Sequence, residues 1–212
     1  FTVSDIKKVN KIKKIIKIPG RHNIYNALSA FTCAKALKIP ERTILAGIGE
    51  YAGAWRRFEY KGKYRGAMIF DDYGHHPTEV KATLAGAKEK YPNKRLWCVF
   101  QPHHYERLRA LFNDFVKAFD LADKIIILPV YVVVGRERQN SPQPPFIKGG
   151  RKGDLSKKLV ENIKNRGKEA IFMEDFDKTA DFLKKNLENN DLAIIMGAGD
   201  VYKLSEKLKF KS

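Results

Sequence analysis

The sequence has little of what disulfide-rich secreted proteins and membrane proteins need. Cysteine occurs only at Cys33 and Cys98, which are far apart and lack a CxxC spacing. Buried free thiols are therefore favoured over a disulfide or a metal site. No run approaches the roughly 18 consecutive apolar residues of a membrane helix, and no signal segment is visible. We predict a cytoplasmic protein without a membrane partner.

The chain also lacks the loop GxxxxGKS or GxxxxGKT, which holds the phosphates of ATP in many enzymes. A glycine turn, MGAGD at 196–200, lacks the third glycine of the dinucleotide fingerprint GxGxxG and follows the last predicted strand instead of the first. Tight packing between a strand and a helix explains this turn. Any ATP-dependent reaction therefore needs a phosphate loop from elsewhere.

Hydrophobic residues make up 43% of the 212 residues. This is enough to bury the core of one large domain, or of one domain and part of another. The chain begins at Phe1 and enters at once a segment that looks mid-domain, so we expect a portion of a longer protein.

Positive charge is concentrated at the front of the chain. The net charge is +17, and residues 1–57 hold 12 Lys and Arg against 3 Asp and Glu, while residues 58–212 hold 29 against 21. Such a balance suits nucleic acid or a phosphate-bearing ligand. The lysines at 11–18 alternate with isoleucine, as on a half-solvated strand, and no aromatic residues lie between them for base stacking. We predict a strand there and no nucleic-acid partner.

From about residue 66, short β-branched runs alternate with amphipathic stretches, which predicts an α/β fold with a mostly parallel sheet and flanking helices. The predicted strands are 66–70, 95–100, 124–129, 169–173 and 191–196, and the predicted helices are 77–90, 106–120, 154–166, 176–188 and 200–208.

Residues 1–57 show a different predicted order of elements, with a strand at 11–18 followed by helices at about 23–38 and 41–51. We predict a small α/β tail of another domain there, with a boundary near 57–62. The segment 135–154 is rich in proline, glycine and charge, and predicts an exposed, mobile loop.

The five histidines fall in three places: position 22, positions 75–76 and positions 103–104. Two of these groups come directly after the predicted strands 66–70 and 95–100. Ligands of open α/β sheets bind at the carboxyl ends of the strands, so we expect DDYGHHP and QPHHYERLR to meet there.

The side chains of these two segments suit a small zwitterion or a phosphate-bearing ligand. Asp71 and Asp72 can accept hydrogen bonds from sugar hydroxyls or an ammonium group, while the histidines and Arg107 can hold a carboxylate or a phosphate. The plainer alternative is a pair of capped loops with solvated side chains. Adjacent histidines project differently and seldom ligate one ion, so we predict no metal site.

The segment PGRHNIYNALSA, 19–30, places Asn23 and Asn26 three residues apart at the start of a helix. On one helix face, the two amides could read a nucleobase edge or a ribose. The alternative is that Asn23 caps the helix.

Five segments resemble the Mur ligases in order and spacing, and together they span nearly the whole chain. They are PGRHNIYNALSA (19–30), RRFEYKG (56–62), DDYGHHPTEV (71–80), FQPHHYERLR (100–109) and IIMGAGDVYKL (194–204). The resemblance implies that residues 1–57 are the end of the family's central ATP-binding domain and residues 58–212 its Rossmann-like C-terminal domain. The first domain, the phosphate loop and the magnesium ligands of the family would then lie outside this chain.

The resemblance also implies an ATP- and magnesium-dependent ligase of peptidoglycan precursor synthesis. The member that the chain resembles most makes an acyl phosphate of UDP-N-acetylmuramate, which the amine of L-alanine attacks. This portion alone would be inactive, and an N-terminal half would be its partner. The alternatives are a sister enzyme that adds a whole peptide during cell-wall recycling, and a non-catalytic module that binds a nucleotide or an amino acid.

Site residues follow from the resemblance position by position. The adenine contacts are Asn23 and Asn26, the ribose contact is Asp72, Arg57 is a catalytic and phosphate-binding residue, His75 is catalytic, and the amino-acid pocket comprises Tyr73, His75, His103, His104 and Arg107. His104 stands where the family usually has arginine. Because histidine lacks the bidentate fork and is only partly charged at neutral pH, weaker binding of the carboxylate is expected.

Overall fold

A computed structural model describes residues 3–132 and 154–208, with side chains from Lys8 onward. The chain begins with three helices, α1 (Val3–Ile15), α2 (Arg21–Ala36) and α3 (Glu41–Glu50). We call these helices the helical unit. They bury a small core of their own, formed by Ile12, Ala27, Phe31 and Ile44.

The strand predicted at 11–18 is wrong, because these residues lie in α1 as far as Ile15. Ile12 and Ile16 are four residues apart, so a helix places both on one face, and both contribute to the core of the helical unit. The alternation of lysine and isoleucine fits a strand as well as a helix, and packing against α2 and α3 decides between them. The described residues of the predicted α/β tail therefore contain three helices and no strand.

The rest of the described chain forms a six-stranded sheet in the order β1-β2-β6-β3-β4-β5. Its strands are β1 (Glu59–Tyr64), β2 (Ala67–Asp72), β3 (Arg95–Phe100), β4 (Lys124–Ile127), β5 (Glu169–Phe172) and β6 (Asp191–Met196). The edge strand β1, which the sequence analysis missed, pairs antiparallel with β2, and the other pairings are parallel. The predicted α/β fold with a mostly parallel sheet is confirmed. We call the described residues 59–132 and 154–208 the sheet domain.

Helices cover both faces of this sheet: α4 (Pro77–Lys90), α5 (Tyr105–Ala110), α6 (Phe112–Ala118), α7 (Asp154–Lys164), α8 (Phe176–Asn186) and α9 (Lys203–Lys207), which follows a short 3-10 turn. Along β3, Trp97 and Val99 enter the core beneath α8 and α9, while Cys98 and Phe100 enter the core on the other face. Burial on both faces explains the unbroken apolar run in the sequence of this strand.

Several predicted boundaries change. The helix predicted over 106–120 is broken into α5 and α6 at Leu111. Both cysteines are free thiols, but Cys33 is exposed and only Cys98 is buried. The loop predicted at 135–154 lies outside the described residues up to position 153. None of the helices described in 3–132 and 154–208 is long and apolar enough to cross a membrane.

Candidate functional site

Three segments converge at the carboxyl edge of the sheet because of the strand register. Asp72 and Phe100, the last residues of β2 and β3, both pair with Met196 at the end of β6. The backbone continues these contacts beyond the strands, since Gly197 N–H donates to the carbonyl of Asp72 (3.1 Å) and Gln101 N–H to that of Met196 (2.9 Å). The two histidine-bearing segments therefore meet, as their positions after parallel strands predicted.

The rings of His75 and His103 lie 5.9 Å apart, and that of His104 lies edge-on to His103 at 4.1 Å. Tyr73 contacts His75 edge-on at 5.4 Å. We call this group, together with Arg107, the histidine pocket.

The adjacent residues His75 and His76 have different roles. His76 is the N-cap of α4, where its ring nitrogen accepts from the backbone N–H of Thr78. The Glu79 carboxylate completes a capping box by accepting from the backbone N–H groups of His75 (2.9 Å) and His76 (3.0 Å). Burial opposes ionisation of Glu79, but these hydrogen bonds hold its pKa below the ordinary value. His76 therefore builds the helix, and His75 is left for the pocket.

Glu79 is not among the predicted site residues, because a capping box is recognised in a sequence by Ser, Thr, Asp or Asn at the cap, and here the cap is His76. Its carboxylate also lies 3.5 Å from Nδ1 of His75. The same Nδ1 lies 3.1 Å from the backbone carbonyl of Tyr73, so the Glu79 carboxylate and this carbonyl together orient the imidazole.

The inner end of the histidine pocket is electropositive. Burial, followed by the nearby His104, Arg107 and His75, lowers the pKa of His103 to about 4, so its imidazole is neutral at pH 7. Among the described residues, Nδ1 of His103 and Nη1 of Arg107 are buried without a hydrogen-bond partner. A buried guanidinium nitrogen with an unused donor suits the oxygen of a carboxylate or a phosphate.

Arg56 fixes the turn beside this pocket and was missed by the sequence analysis. The residue is 2% exposed, and its guanidinium donates to the carbonyls of Gly199 (3.0 Å) and Gly197 and lies over the ring of Tyr73 at 5.1 Å. The backbone N–H of Tyr73 also donates to the carbonyl of Arg56 (2.6 Å). Arg56 thus ties the linker between α3 and β1, residues 51–58, to the ends of β2 and β6.

A cavity of about 530 Å³ lies between the helical unit and the sheet domain. We call it the inter-unit cavity. It brings together all four residues predicted for the nucleotide, Asn23, Asn26, Arg57 and Asp72, and Glu79 forms the wall that it shares with the histidine pocket. Arg57 is exposed and reaches both sites, since its guanidinium lies 5.5 Å from the ring of Tyr73.

Asn23 does not cap α2, because Gly20 occupies the N-cap position. Its side-chain amide instead donates to the carbonyl of Pro19 (2.7 Å), which leaves its oxygen to accept weakly from Asn26 (3.4 Å). His22 also lines the cavity, apart from the other four histidines.

Asp71 and Asp72 point to opposite faces of β2, as strand geometry requires. The Asp72 carboxylate accepts from the backbone N–H groups of Phe58 (2.9 Å) and Gly74 (2.8 Å), and burial is the main cause that raises its pKa. Asp71 instead accepts from the hydroxyl of Ser205 (3.0 Å), and burial raises its pKa to about 6. The suggestion that both aspartates serve the ligand is therefore wrong for Asp71.

Metal ligation has no support in the described part of the chain, where no three His, Cys, Asp or Glu side chains come together as ligands.

Comparisons with known proteins agree on one family. A sequence profile described as "Mur ligase, glutamate ligase domain" matches residues 56–199. The UDP-N-acetylmuramate–L-alanine ligase of Lachnospira eligens is 41% identical over 191 residues, which are 90% of this chain and 39% of that protein. The enzyme of the same name from Caldanaerobacter subterraneus subsp. tengcongensis is 42% identical over 192 residues, 91% of this chain and 39% of that protein.

Among solved structures, the UDP-N-acetylmuramate-alanine ligase of Thermotoga maritima matches with a TM-score of 0.73 at 27% identity, over 91% of this chain and 38% of that one. The chain spans well under half the length of the relatives that it matches.

Proposed function

The chain belongs to the Mur ligase family, and from this premise we propose that it forms the acceptor-binding portion of an ATP-dependent ligase that joins L-alanine to UDP-N-acetylmuramate. The observation that carries the proposal is the position of the two sites. The histidine pocket, with the buried and unpaired Nη1 of Arg107, adjoins a cavity of about 530 Å³. Glu79 belongs to both sites, since it lines the cavity and lies 3.5 Å from His75, and Arg57 reaches both.

On the nucleotide side, we assign the inter-unit cavity to ATP. The amides of Asn23 and Asn26 can pair with the edge of the base, and Asp72 keeps lone pairs for a ribose hydroxyl beyond those that serve the backbone. Arg57 is placed to neutralise charge on the transferring phosphoryl group. Magnesium finds no set of ligands among the described residues, so we assign its protein ligands to the region of the relatives that this chain does not cover.

On the acceptor side, we assign the histidine pocket to L-alanine. Arg107 and the neutral imidazole of His103 would hold the carboxylate, with His104 and Tyr73 as further walls. Because the carboxylate is held, the amine is left to attack the acyl carbonyl, and inorganic phosphate leaves. His75, stabilised by Glu79, accepts the proton that the attacking amine gives up.

We propose that residues 1–57 end the central ATP-binding domain and that residues 58–212 form the C-terminal domain. The open side of the helical unit supports this division. It carries an apolar groove lined by Ile16, Ala27 and Ile48, and Leu37 is 75% exposed nearby. An uncovered apolar surface of this kind suits packing against the part of the relatives that precedes the match. Without a phosphate loop, the chain alone is expected to be inactive.

The test joins this chain to the part of the Caldanaerobacter ligase that precedes the matched region, and measures phosphate release with UDP-N-acetylmuramate and L-alanine. We call this protein the fused ligase. Turnover is expected from the fused ligase and not from the 212-residue chain. Calorimetric titration with ATP and with L-alanine, with and without the preceding part, would separate loss of binding from loss of chemistry.

Two results would contradict the proposal. A preference for a tripeptide over L-alanine would indicate the sister enzyme that recycles cell-wall peptides. Binding of both ligands without turnover by the fused ligase would indicate a non-catalytic module.

A further inference from the structure

We propose that Tyr131 is a positioning residue of the histidine pocket, whose ring, seated against Gly199, fixes the imidazole of His103. The proposal rests on the proposed function for its effect on L-alanine. The structural claim, that Tyr131 fixes the imidazole of His103, concerns only this chain and can be tested without any ligase activity.

Tyr131 follows β4 and contacts His103 through both ring and backbone. The two rings are stacked, with centroids 5.5 Å apart and planes 19° from parallel. The backbone of Tyr131 forms a bridge beside His103, donating to the carbonyl of Pro102 (2.8 Å) and accepting from the N–H of His104 (3.1 Å). These bonds fix the origin of the tyrosine side chain relative to the end of β3.

The other face of the contact is Gly199. A Cβ added at this glycine would lie 2.5 Å from Cγ and Cδ2 of the Tyr131 ring, closer than two carbons can approach. The φ of Gly199 is −86°, which a residue with a side chain can adopt. Glycine is therefore required at this position because a side chain would clash with the ring of Tyr131, and not because of the backbone conformation.

Together these contacts form a closed ring of neighbouring residues around the pocket. Each member touches the next, and the six come from the linker and from the segments that follow β2, β3, β4 and β6: Arg56, Tyr73, His75, His103, Tyr131 and Gly199. A substitution at one of these residues removes its contacts with its two neighbours in the ring.

Stacking matters for His103 because Nδ1 is not held in any other way among the described residues. This atom is buried without a hydrogen-bond partner. Most functional histidines are oriented by a hydrogen bond to the second ring nitrogen. For His103 the stacked ring of Tyr131 takes that part on one side, while the ring of His104 lies edge-on at 4.1 Å. The tyrosine therefore helps to set where the imidazole points and shields it from water.

The first experiment titrates His103 by NMR in the 212-residue chain. Burial keeps its pKa near 4, and Tyr131→Ala should admit water and raise the pKa toward the ordinary value of about 6.5. Tyr131→Phe keeps the ring and should keep the low pKa. Tyr25→Ala removes an exposed tyrosine of α2 and is the matched control. An unchanged titration in Tyr131→Ala, or equal shifts in the Ala and Phe variants, would overturn the positioning role.

The second experiment is a double-mutant cycle. Gly199→Ala should displace the ring and raise the pKa of His103, whereas Gly47→Ala, where a Cβ meets nothing within 4 Å, should not. Since both substitutions act through one contact, Tyr131→Ala combined with Gly199→Ala should match Tyr131→Ala alone. Additive shifts would mean that Gly199 does not act through Tyr131, and would overturn that part of the proposal.

In the fused ligase, Tyr131→Ala should raise the KM for L-alanine about tenfold with little change in the KM for ATP, and Tyr131→Phe should restore it. Equal changes in both constants would overturn the link to the acceptor. If the fused ligase binds no L-alanine while His103 of the 212-residue chain still responds to Tyr131→Ala, the proposed function fails and the positioning role stands.

Discussion

The histidine pocket and the inter-unit cavity lie side by side, yet the fold builds them differently. The pocket takes its residues from segments that directly follow strands, so the register of β2, β6 and β3 sets its geometry. The cavity takes one wall from α2 and another from β2 and α4, so it exists only where the helical unit meets the sheet domain. We infer that the pocket is as rigid as the sheet, while the cavity depends on the placement of two units.

The largest expected effect separates the sites at Arg107. Arg107→Gln removes the charged donor of the pocket, and its affinity for L-alanine should fall about 30- to 100-fold, the range of a charge-assisted hydrogen bond. ATP affinity should not change, because Arg107 does not line the cavity. Calorimetry on the fused ligase measures both. Arg109→Gln, an exposed neighbour on α5, is the control, and similar losses in the two variants would remove Arg107 from the site.

A second effect distinguishes Asp71 from Asp72. Burial raises the pKa of Asp71 to about 6, so its carboxyl is protonated in the folded protein at pH 4, and folding is weakened as the group ionises above that. Asp71→Asn should therefore stabilise the protein progressively between pH 4 and pH 6, by about 2 kcal/mol at the upper end.

Chemical unfolding of both proteins across this pH range measures the difference. A constant difference would show that Asp71 does not titrate there. ATP binding should be unchanged in Asp71→Asn and weakened in Asp72→Asn, because only Asp72 lines the cavity.

The smallest effect concerns the contact between the units. A Cβ at Gly86 of α4 would lie 3.0 Å from the backbone nitrogen of Gly20, at the start of α2. Gly86→Leu should push the helical unit from α4 and reduce ATP affinity about tenfold, since overpacking costs roughly 1–3 kcal/mol. L-alanine affinity should stay the same. Ala85→Leu, exposed on the same helix, is the control. Parallel losses of both ligands would show that the two sites are one rigid unit.

Of the two sites, the histidine pocket is the one that the sequence could predict. Alternating strands and helices placed 71–77 and 101–109 after parallel strands, and chain topology then required them to meet. Glu79 was not predicted, because its cap partner His76 is not one of the residues by which a capping box is recognised in a sequence. Arg56 was not predicted either, because Gly197 and Gly199 lie 141 and 143 residues further along the chain. The helix α1 was missed for a related reason. The alternation of lysine and isoleucine fits a strand as well as a helix, and only packing against α2 and α3 decides between them.

The carboxylate of Asp72 serves two parts of the molecule at once. One oxygen accepts from the backbone of Phe58 in the linker, and the residue also lines the cavity that we assign to ATP. A ligand that donates a hydrogen bond to this carboxylate changes the strength of its hydrogen bond to Phe58. In turn, a shift of the linker changes the orientation of the carboxylate in the cavity. Thermodynamic reciprocity makes the two effects equal in free energy. ATP affinity would thus be a measure of interdomain arrangement.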